Sequence, residues 1–195
     1  ADLFTSNCAT FLVAWYRRSL GAAAVLRRWT LSYLGNFAGA VAAAALLGIA
    51  TGIYVAGADA TVYLHEVVAG KLDHSVVETL ARGIGANLLV CIAAWQAYSA
   101  GDTVGKMVGI WFPVMGFVAL GMEHSIANMF FVPAAILSGL DATWAEFLLG
   151  NLLPATIGNI IGGGVFIGLA YAWIYTGGPR PPATAATAST RADRR

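Results

Sequence analysis

Charge is what this sequence has least of. Of its 195 residues, 11% are Asp, Glu, Lys or Arg, against about 25% in an ordinary soluble domain. That deficit excludes a soluble core of ordinary size. The net charge of +1 supplies no basic footprint for nucleic acid. Cysteine is scarce: Cys8 and Cys91 lie in apolar segments without pairing or metal-ligand spacing, as inert buried thiols do. The histidines, His65, His74 and His124, show no ligand spacing, and neither a phosphate loop nor a nucleotide fingerprint occurs. What is present is apolar. The chain is 58% hydrophobic with mean hydropathy +0.71, in long blocks separated by short polar connections.

A membrane-spanning helix needs about 20 mostly apolar residues. Residues 30–53, 78–100 and 154–175 meet that requirement. A fourth apolar stretch is too long for one simple span and is interrupted at Gly121-Met122-Glu123-His124-Ser125. It reads as two half-helices, 107–120 and 126–138. The first apolar segment, 4–17, is too short to cross alone. An internal repeat interprets it. Asp2 to Asn7 resembles Glu123 to Asn128, and Gly35-Asn36-Phe37-Ala38-Gly39-Ala40 resembles Gly158-Asn159-Ile160-Ile161-Gly162-Gly163. The first segment is therefore expected to be the second half of another broken span. The predicted fold is an all-α membrane protein built as an inverted repeat of three-helix units with two broken helices, the first one and a half spans lying outside this chain. Such repeats bring their breaks together near the membrane midplane.

Charge sets the expected topology. Arg17, Arg18, Arg27 and Arg28 crowd the first connection, Lys106 sits in the third, and the tail carries Arg180, Arg191, Arg194 and Arg195. The second connection holds Asp59, Glu66 and Asp73 against one Lys71, and the fourth holds Asp141 and Glu146. The positive-inside rule puts the first, third and tail in the cytoplasm. The channel domain is expected over 1–176, with 177–195, rich in Pro, Ala and Thr, a disordered cytoplasmic tail.

His124 is the foremost candidate for chemistry. An ionisable side chain at membrane depth is functional by default, and histidine exchanges protons near neutral pH. It can attract a small anion or donate a proton to it. The alternative is a capping or packing histidine. Glu123 either polarises His124 or caps the following half-helix, and Asp2 shares that ambiguity. Thr5 and Ser6 lie in the other break, where a hydroxyl can hold an anion or water, or simply cap. Leu3, Phe4 and Phe117 are candidates for apolar constrictions, against ordinary packing. Asn87 and Asn159, polar residues within spans, either serve the site or only bond across helices. Lys106 either serves the site or snorkels to the interface. Asn36 and Asn159, with Gly35, Gly39, Gly158 and 162–164, read as close helix packing. His65 and His74 fall in an exterior loop. Ser125 adjoins His124, which is poor geometry for an intramembrane Ser–His hydrolase.

Ala1-Asp2-Leu3-Phe4-Thr5, Tyr33-Leu34-Gly35-Asn36, the run from Gly116 through Glu123-His124-Ser125-Ile126-Ala127-Asn128 to Met129, and the run from Asn151 to Gly163 together resemble the formate/nitrite transporter family. The resemblance implies six spans per protomer, an aquaporin-like fold and a homopentamer with one pore per subunit. It implies passage of small monovalent acids such as formate, nitrite, acetate, lactate or hydrosulfide, without a cofactor and without enzymatic turnover. By the same resemblance His124 handles the substrate proton and Thr5 faces it. Leu3, Phe4 and Phe117 form the narrow points, and Asn87, Lys106 and Glu123 tune the histidine. Gly109-Ile110-Trp111-Phe112-Pro113 looks formate-type. The expected partners are a small monocarboxylate or inorganic monovalent anion, the lipid bilayer of the inner (plasma) membrane and further copies of the chain. Nitrite or hydrosulfide transport is the alternative, and a non-conducting membrane assembly protein is the reading of another class.

Overall fold

The structure, a computed structural model, describes residues 2–177. The expected tail therefore lies outside the described residues from 178 onward. Among the described residues all regular structure is helical: α1 (Phe4–Tyr16), α2 (Ala22–Ala50), α3 (Asp59–Leu72), α4 (Val76–Ser99), α5 (Thr103–Ala119), α6 (Ser125–Leu137) and α7 (Glu146–Thr176). Three of these, α2, α4 and α7, are long and apolar enough to cross a membrane, while α5 and α6 are shorter apolar helices. The short connection between α4 and α5 lays those two helices against each other, while α7 packs on α4 from far along the chain.

The start of α4 follows from its sequence. The Ser75 hydroxyl accepts from the Glu78 amide while the Glu78 carboxylate accepts from the Ser75 amide, a reciprocal capping box. Thr143 and Glu146 exchange the same pair of bonds at the start of α7. Asp102 caps α5 by accepting from the Gly105 amide at 2.9 Å. At its other end, the Gly121 amide donates to the Val118 carbonyl and the Met122 amide to that of Phe117. This is a Schellman termination, which needs the left-handed backbone at its glycine. Gly121 has φ +60°.

Hydropathy misses two features. Helix α2 begins at Ala22, eight residues before the apolar run, because its first turns carry Arg27 and Arg28 and form a helix without being apolar. Helix α3 occupies what the sequence analysis takes for an exterior loop. At 14 residues it is too short to span. Its Thr61, Leu64 and Val68 recur at helical spacing and bury one face. Leu64 and Val68 join Met129, Val132, Phe147 and Leu152 in one hydrophobic core cluster.

Glycines seat α4 against α7. A Cβ on Gly162 would collide with the Ile84 carbonyl, one on Gly158 with the Leu80 carbonyl, and one on Gly83 would stand 2.8 Å from the Ala155 carbonyl. Backbone meets backbone there, so neither side can yield by changing a rotamer. Much of α7, over Ile160–Leu169, is wound as π-helix. Gly35 and Gly39 differ from their counterparts in the repeat: no described atom lies within 4 Å of a Cβ built on either.

Gly162→Ala is expected to destabilise the protein by about 1–3 kcal/mol, the usual range for overpacking, read as a lower unfolding midpoint in detergent. Gly70→Ala, with nothing within 4 Å of the added methyl, should leave the midpoint unchanged or raise it.

Candidate functional site where two helix starts meet

The segment from Gly121 to His124 leaves α5 and enters α6. An interruption at membrane depth exposes carbonyls that no helix satisfies, and each unpaired one costs several kcal/mol. Here successive carbonyls are met by three different helices. Arg82 of α4 donates Nη1–H to the Gly121 carbonyl at 3.3 Å. Lys71 of α3 donates Nζ–H to the Met122 carbonyl at 3.2 Å. Asn159 of α7 donates Nδ2–H to the Glu123 carbonyl at 2.9 Å.

His124 is the N-cap of α6. Its Nδ1 accepts the Ala127 amide hydrogen at 3.0 Å. A ring nitrogen that accepts carries no proton, so the neutral ring holds its hydrogen on Nε2. Nε2 lies 3.1 Å from the Thr5 hydroxyl of α1 and donates to it. The Phe117 ring stacks on the imidazole, centroids 5.3 Å apart and planes 21° apart. Phe117, His124 and Thr5 are all buried.

Two asparagines organise the two helix starts in the same way. The Asn159 Oδ1 accepts from the Ser125 amide at 2.8 Å, and its Nδ2 also donates to the Gly83 carbonyl at 2.8 Å. At the other start, the Asn36 Oδ1 accepts from the Phe4 amide at 2.9 Å and its Nδ2 donates to the Asp2 carbonyl at 3.0 Å. Each asparagine thus holds the first helical amide and the carbonyl two residues before it. Asn87 joins the two regions: its Nδ2 donates to the Thr5 carbonyl at 3.0 Å and to the Asn159 carbonyl at 2.6 Å.

Beside His124, the Glu123 carboxylate is fully buried. A buried carboxylate persists only when paired and fully hydrogen-bonded. Lys71 Nζ and His74 Nδ1 each lie 3.2 Å from its Oε1. Asn128 and Asn151 donate to its Oε2 at 2.6 and 3.1 Å. A cavity of about 650 Å³ opens on this cluster, lined by Tyr63, Lys71, Phe117, Gly121, Met122 and Asn128 among others. Among the described residues no group of three His, Cys, Asp or Glu side chains converges as a metal site.

The residues singled out in the sequence divide accordingly. His124, Thr5 and Phe117 converge. Leu3, exposed, is the N-cap of α1, close to Thr5. Phe4 instead packs edge-on against Trp29 and Tyr33 of α2, centroids 6.2 and 4.9 Å away. Asn87 serves the Thr5 carbonyl, and Lys106 stands exposed in the first turn of α5. The cation on Glu123 is Lys71, so the expected set of Asn87, Lys106 and Glu123 is not one cluster. From sequence, Lys71 and His74 fall in an exterior connection, Asn128 and Asn151 are only motif positions, Arg82 is not singled out, and Asn36 reads as packing. Arg82 carried a usable signal, as a lone cation in an apolar span. Lys71 and His74 carried none, because α3, which ends just before His74, is too short to register as part of the membrane domain.

A formate/nitrite transporter family model matches residues 1–173. The chain is 42% identical over 174 residues to an uncharacterized transporter, YrhG, of Bacillus subtilis (strain 168), covering 88% of this chain and 63% of that protein. It is 38% identical over 188 residues to a probable formate transporter of Methanothermobacter thermautotrophicus, covering 90% and 68%. Among solved structures it superimposes on a pentameric formate channel with formate bound at TM-score 0.79 and 33% identity, covering 90% of this chain and 75% of that one. This chain thus spans a little under two thirds of the Bacillus relative's length. Matched across nearly all its described residues in sequence and fold, the chain belongs to the formate/nitrite transporter family, a family of channels and transporters and not of enzymes.

Proposed function

We propose that this chain is the larger part of a homopentameric channel of the inner (plasma) membrane for small monovalent anions or their conjugate acids, formate foremost. The observation that carries the reading is the His124–Thr5 contact at 3.1 Å, made between the starts of two helices with Phe117 stacked on the ring. The matching hydrogen bonds of Asn36 and Asn159 support an inverted repeat. The likeness to a formate-bound pentameric channel supports both substrate and assembly.

In this reading Phe117 and Leu3 bound a short polar stretch, and the Nε2–H of His124 is its hydrogen-bond donor. An arriving carboxylate takes the place of the Thr5 hydroxyl as acceptor. Two helix N-termini converge here, and their positive dipole ends favour negative charge. The Ala127 cap ties up Nδ1, so the resting ring offers a hydrogen bond and not a positive charge. Passing a proton to the substrate and regaining one demands that the ring leave its cap, because an Nδ1–H would face the Ala127 N–H, donor against donor. Neutralising the anion removes most of the penalty of crossing apolar surroundings. Phe4 supports the α1–α2 packing that seats Thr5, Asn87 fixes the Thr5 carbonyl, and Glu123 acts through its cluster. Lys106 is read as an interfacial cation.

Purified full-length protein in liposomes tests the role of His124. Wild type should carry formate with a pH-dependent rate. His124→Asn, which keeps a capping acceptor but cannot titrate, should fold normally, lose that pH dependence and fall at least about tenfold in rate at pH 6. Equal, pH-independent formate flux in both would overturn the assignment. Nitrite and hydrosulfide measured alongside decide the substrate.

The expected orientation is checked by an impermeant thiol reagent on intact cells. Ala56→Cys should label, and Gly101→Cys only after permeabilisation. The native Cys8 and Cys91 are buried and remain silent. The reverse pattern would invert the topology.

A further inference from the structure

Helices α5, α6 and α7 each end on a left-handed glycine: Gly121, Gly139 and Gly177. Helix α1 ends in the same way without one. The Ser19 amide donates to the Ala14 carbonyl and the Arg18 amide to that of Trp15. This is a Schellman turn whose left-handed position is Arg18, with φ +56°. Arg18 is the one non-glycine residue with positive φ among the described residues. A side chain there strains the backbone, and glycine would remove the strain. The turn itself therefore does not call for an arginine.

The charge around Arg18 is of one sign. Arg17, Arg18, Arg27 and Arg28 are all exposed at the α1–α2 hairpin, and no Asp or Glu occurs between Asp2 and Asp59. Among the described residues none of the four forms an ion pair. Beside them runs an apolar furrow. One hollow of about 170 Å³ lies between Leu12 and Trp15 of α1 and Val25, Leu26 and Trp29 of α2. A second, of about 220 Å³, shares Leu26 and Trp29 and continues to Phe4, Tyr33 and Leu34. Trp15 also walls a third, of about 490 Å³, together with Tyr16 and Arg18. The furrow stays apolar because its aromatic residues spend their polar atoms on protein partners. Trp29 Nε1–H donates to the Asn7 carbonyl at 3.1 Å, and the Tyr33 hydroxyl meets that of Thr156 at 3.0 Å. From Ala22 to Leu34 the furrow follows α2 for about 18 Å at about 1.5 Å per residue. Half of a hydrocarbon core about 30 Å thick is about 15 Å. Basic at one end and apolar for the depth of one leaflet, the furrow matches a lipid and not a soluble anion.

We infer that the α1–α2 hairpin binds an anionic phospholipid: Arg18, with Arg17 beside it, receives the phosphate, and an acyl chain lies along the furrow toward Leu34. The proposed topology puts this hairpin at the cytoplasmic face, whose leaflet carries the anionic lipids that clustered Lys and Arg attract. Arg27 and Arg28 add to that attraction from the first turns of α2. The acyl chain lies against Phe4 and Trp29, whose contacts join the start of α1 to α2. The inference goes beyond the transport reading and is tested without it.

The test titrates purified full-length protein in a neutral detergent with three probes. Dioleoylphosphatidylglycerol is the anionic lipid, dioleoylphosphatidylcholine has the same chains and no net charge, and glycerol phosphate is the head without a tail. The readouts are the unfolding midpoint and the lipid retained in native mass spectrometry. Phosphatidylglycerol should raise the midpoint and stay bound, phosphatidylcholine should act at least about fivefold more weakly, and glycerol phosphate should do neither. Arg18→Gly relieves the left-handed backbone, so its lipid-free midpoint should not fall, yet it should need about fivefold more phosphatidylglycerol for half the effect. Arg18→Asn, also tolerated in that conformation, serves where the glycine variant does not fold. Leu26→Trp, or Leu34→Trp in its place, fills the furrow from an exposed position and should weaken both lipids alike. Equal binding of the two lipids overturns the inference, because charge is then not read. Stabilisation by glycerol phosphate equal to that by phosphatidylglycerol overturns it, because the furrow is then not used. Arginine and tryptophan variants that bind as wild type also overturn it, placing the lipid elsewhere or the furrow under another segment or copy of the full chain.

Discussion

An interrupted helix at membrane depth must have its freed carbonyls received by something other than water, and the structure is organised around that requirement. Gly121, Met122 and Glu123 present three consecutive carbonyls outside helical hydrogen bonding, and α4, α3 and α7 each send one side chain to meet one of them. The glycine seats follow from this need. Asn159 reaches across to Gly83 and Glu123 because α7 lies against α4 with backbone touching backbone at Gly158 and Gly162. A methyl group at those seats would move the asparagine away from the break.

The same arrangement positions the polar chemistry without loosening it. His124 caps its own helix through Nδ1, so ring orientation and tautomer come from one backbone bond and not from a separate partner. Thr5 is held by its carbonyl, through Asn87, which leaves its hydroxyl to meet the imidazole. Glu123 is buried beside the histidine but bonded away from it, to Lys71, His74, Asn128 and Asn151. Burying that carboxylate requires cations close by. Lys71 spends its charge on Glu123, and Arg82 holds the Gly121 carbonyl.

Much of this was legible in the residues and some was not. The interrupted helix, His124 and its counterpart region around Thr5 were visible because polar residues inside an apolar block are rare and the repeat marks them twice. Asn36 and Asn159 were visible as a repeat but not as clamps: an asparagine in a Gly-rich helix reads as packing until its partners are known. Helix α3 was missed because its buried face is narrow and its ends are charged, so hydropathy assigns it to a loop. With α3 went Lys71 and the adjoining His74, and the expected network took its cation, Lys106, from the family resemblance instead.

Composition and spacing by themselves determined the class of the protein, its long apolar helices and the break that carries His124. They suffice there because the bilayer imposes length and polarity rules that act residue by residue along the chain. Tertiary structure alone decided which cation meets which carbonyl, that Phe117 stacks on the imidazole while Phe4 turns to α2, and that Glu123 is caged away from the histidine it adjoins. Those outcomes depend on how closely helices distant in sequence approach one another. That distance is set by backbone contact at a few glycines, which no local pattern of residues encodes.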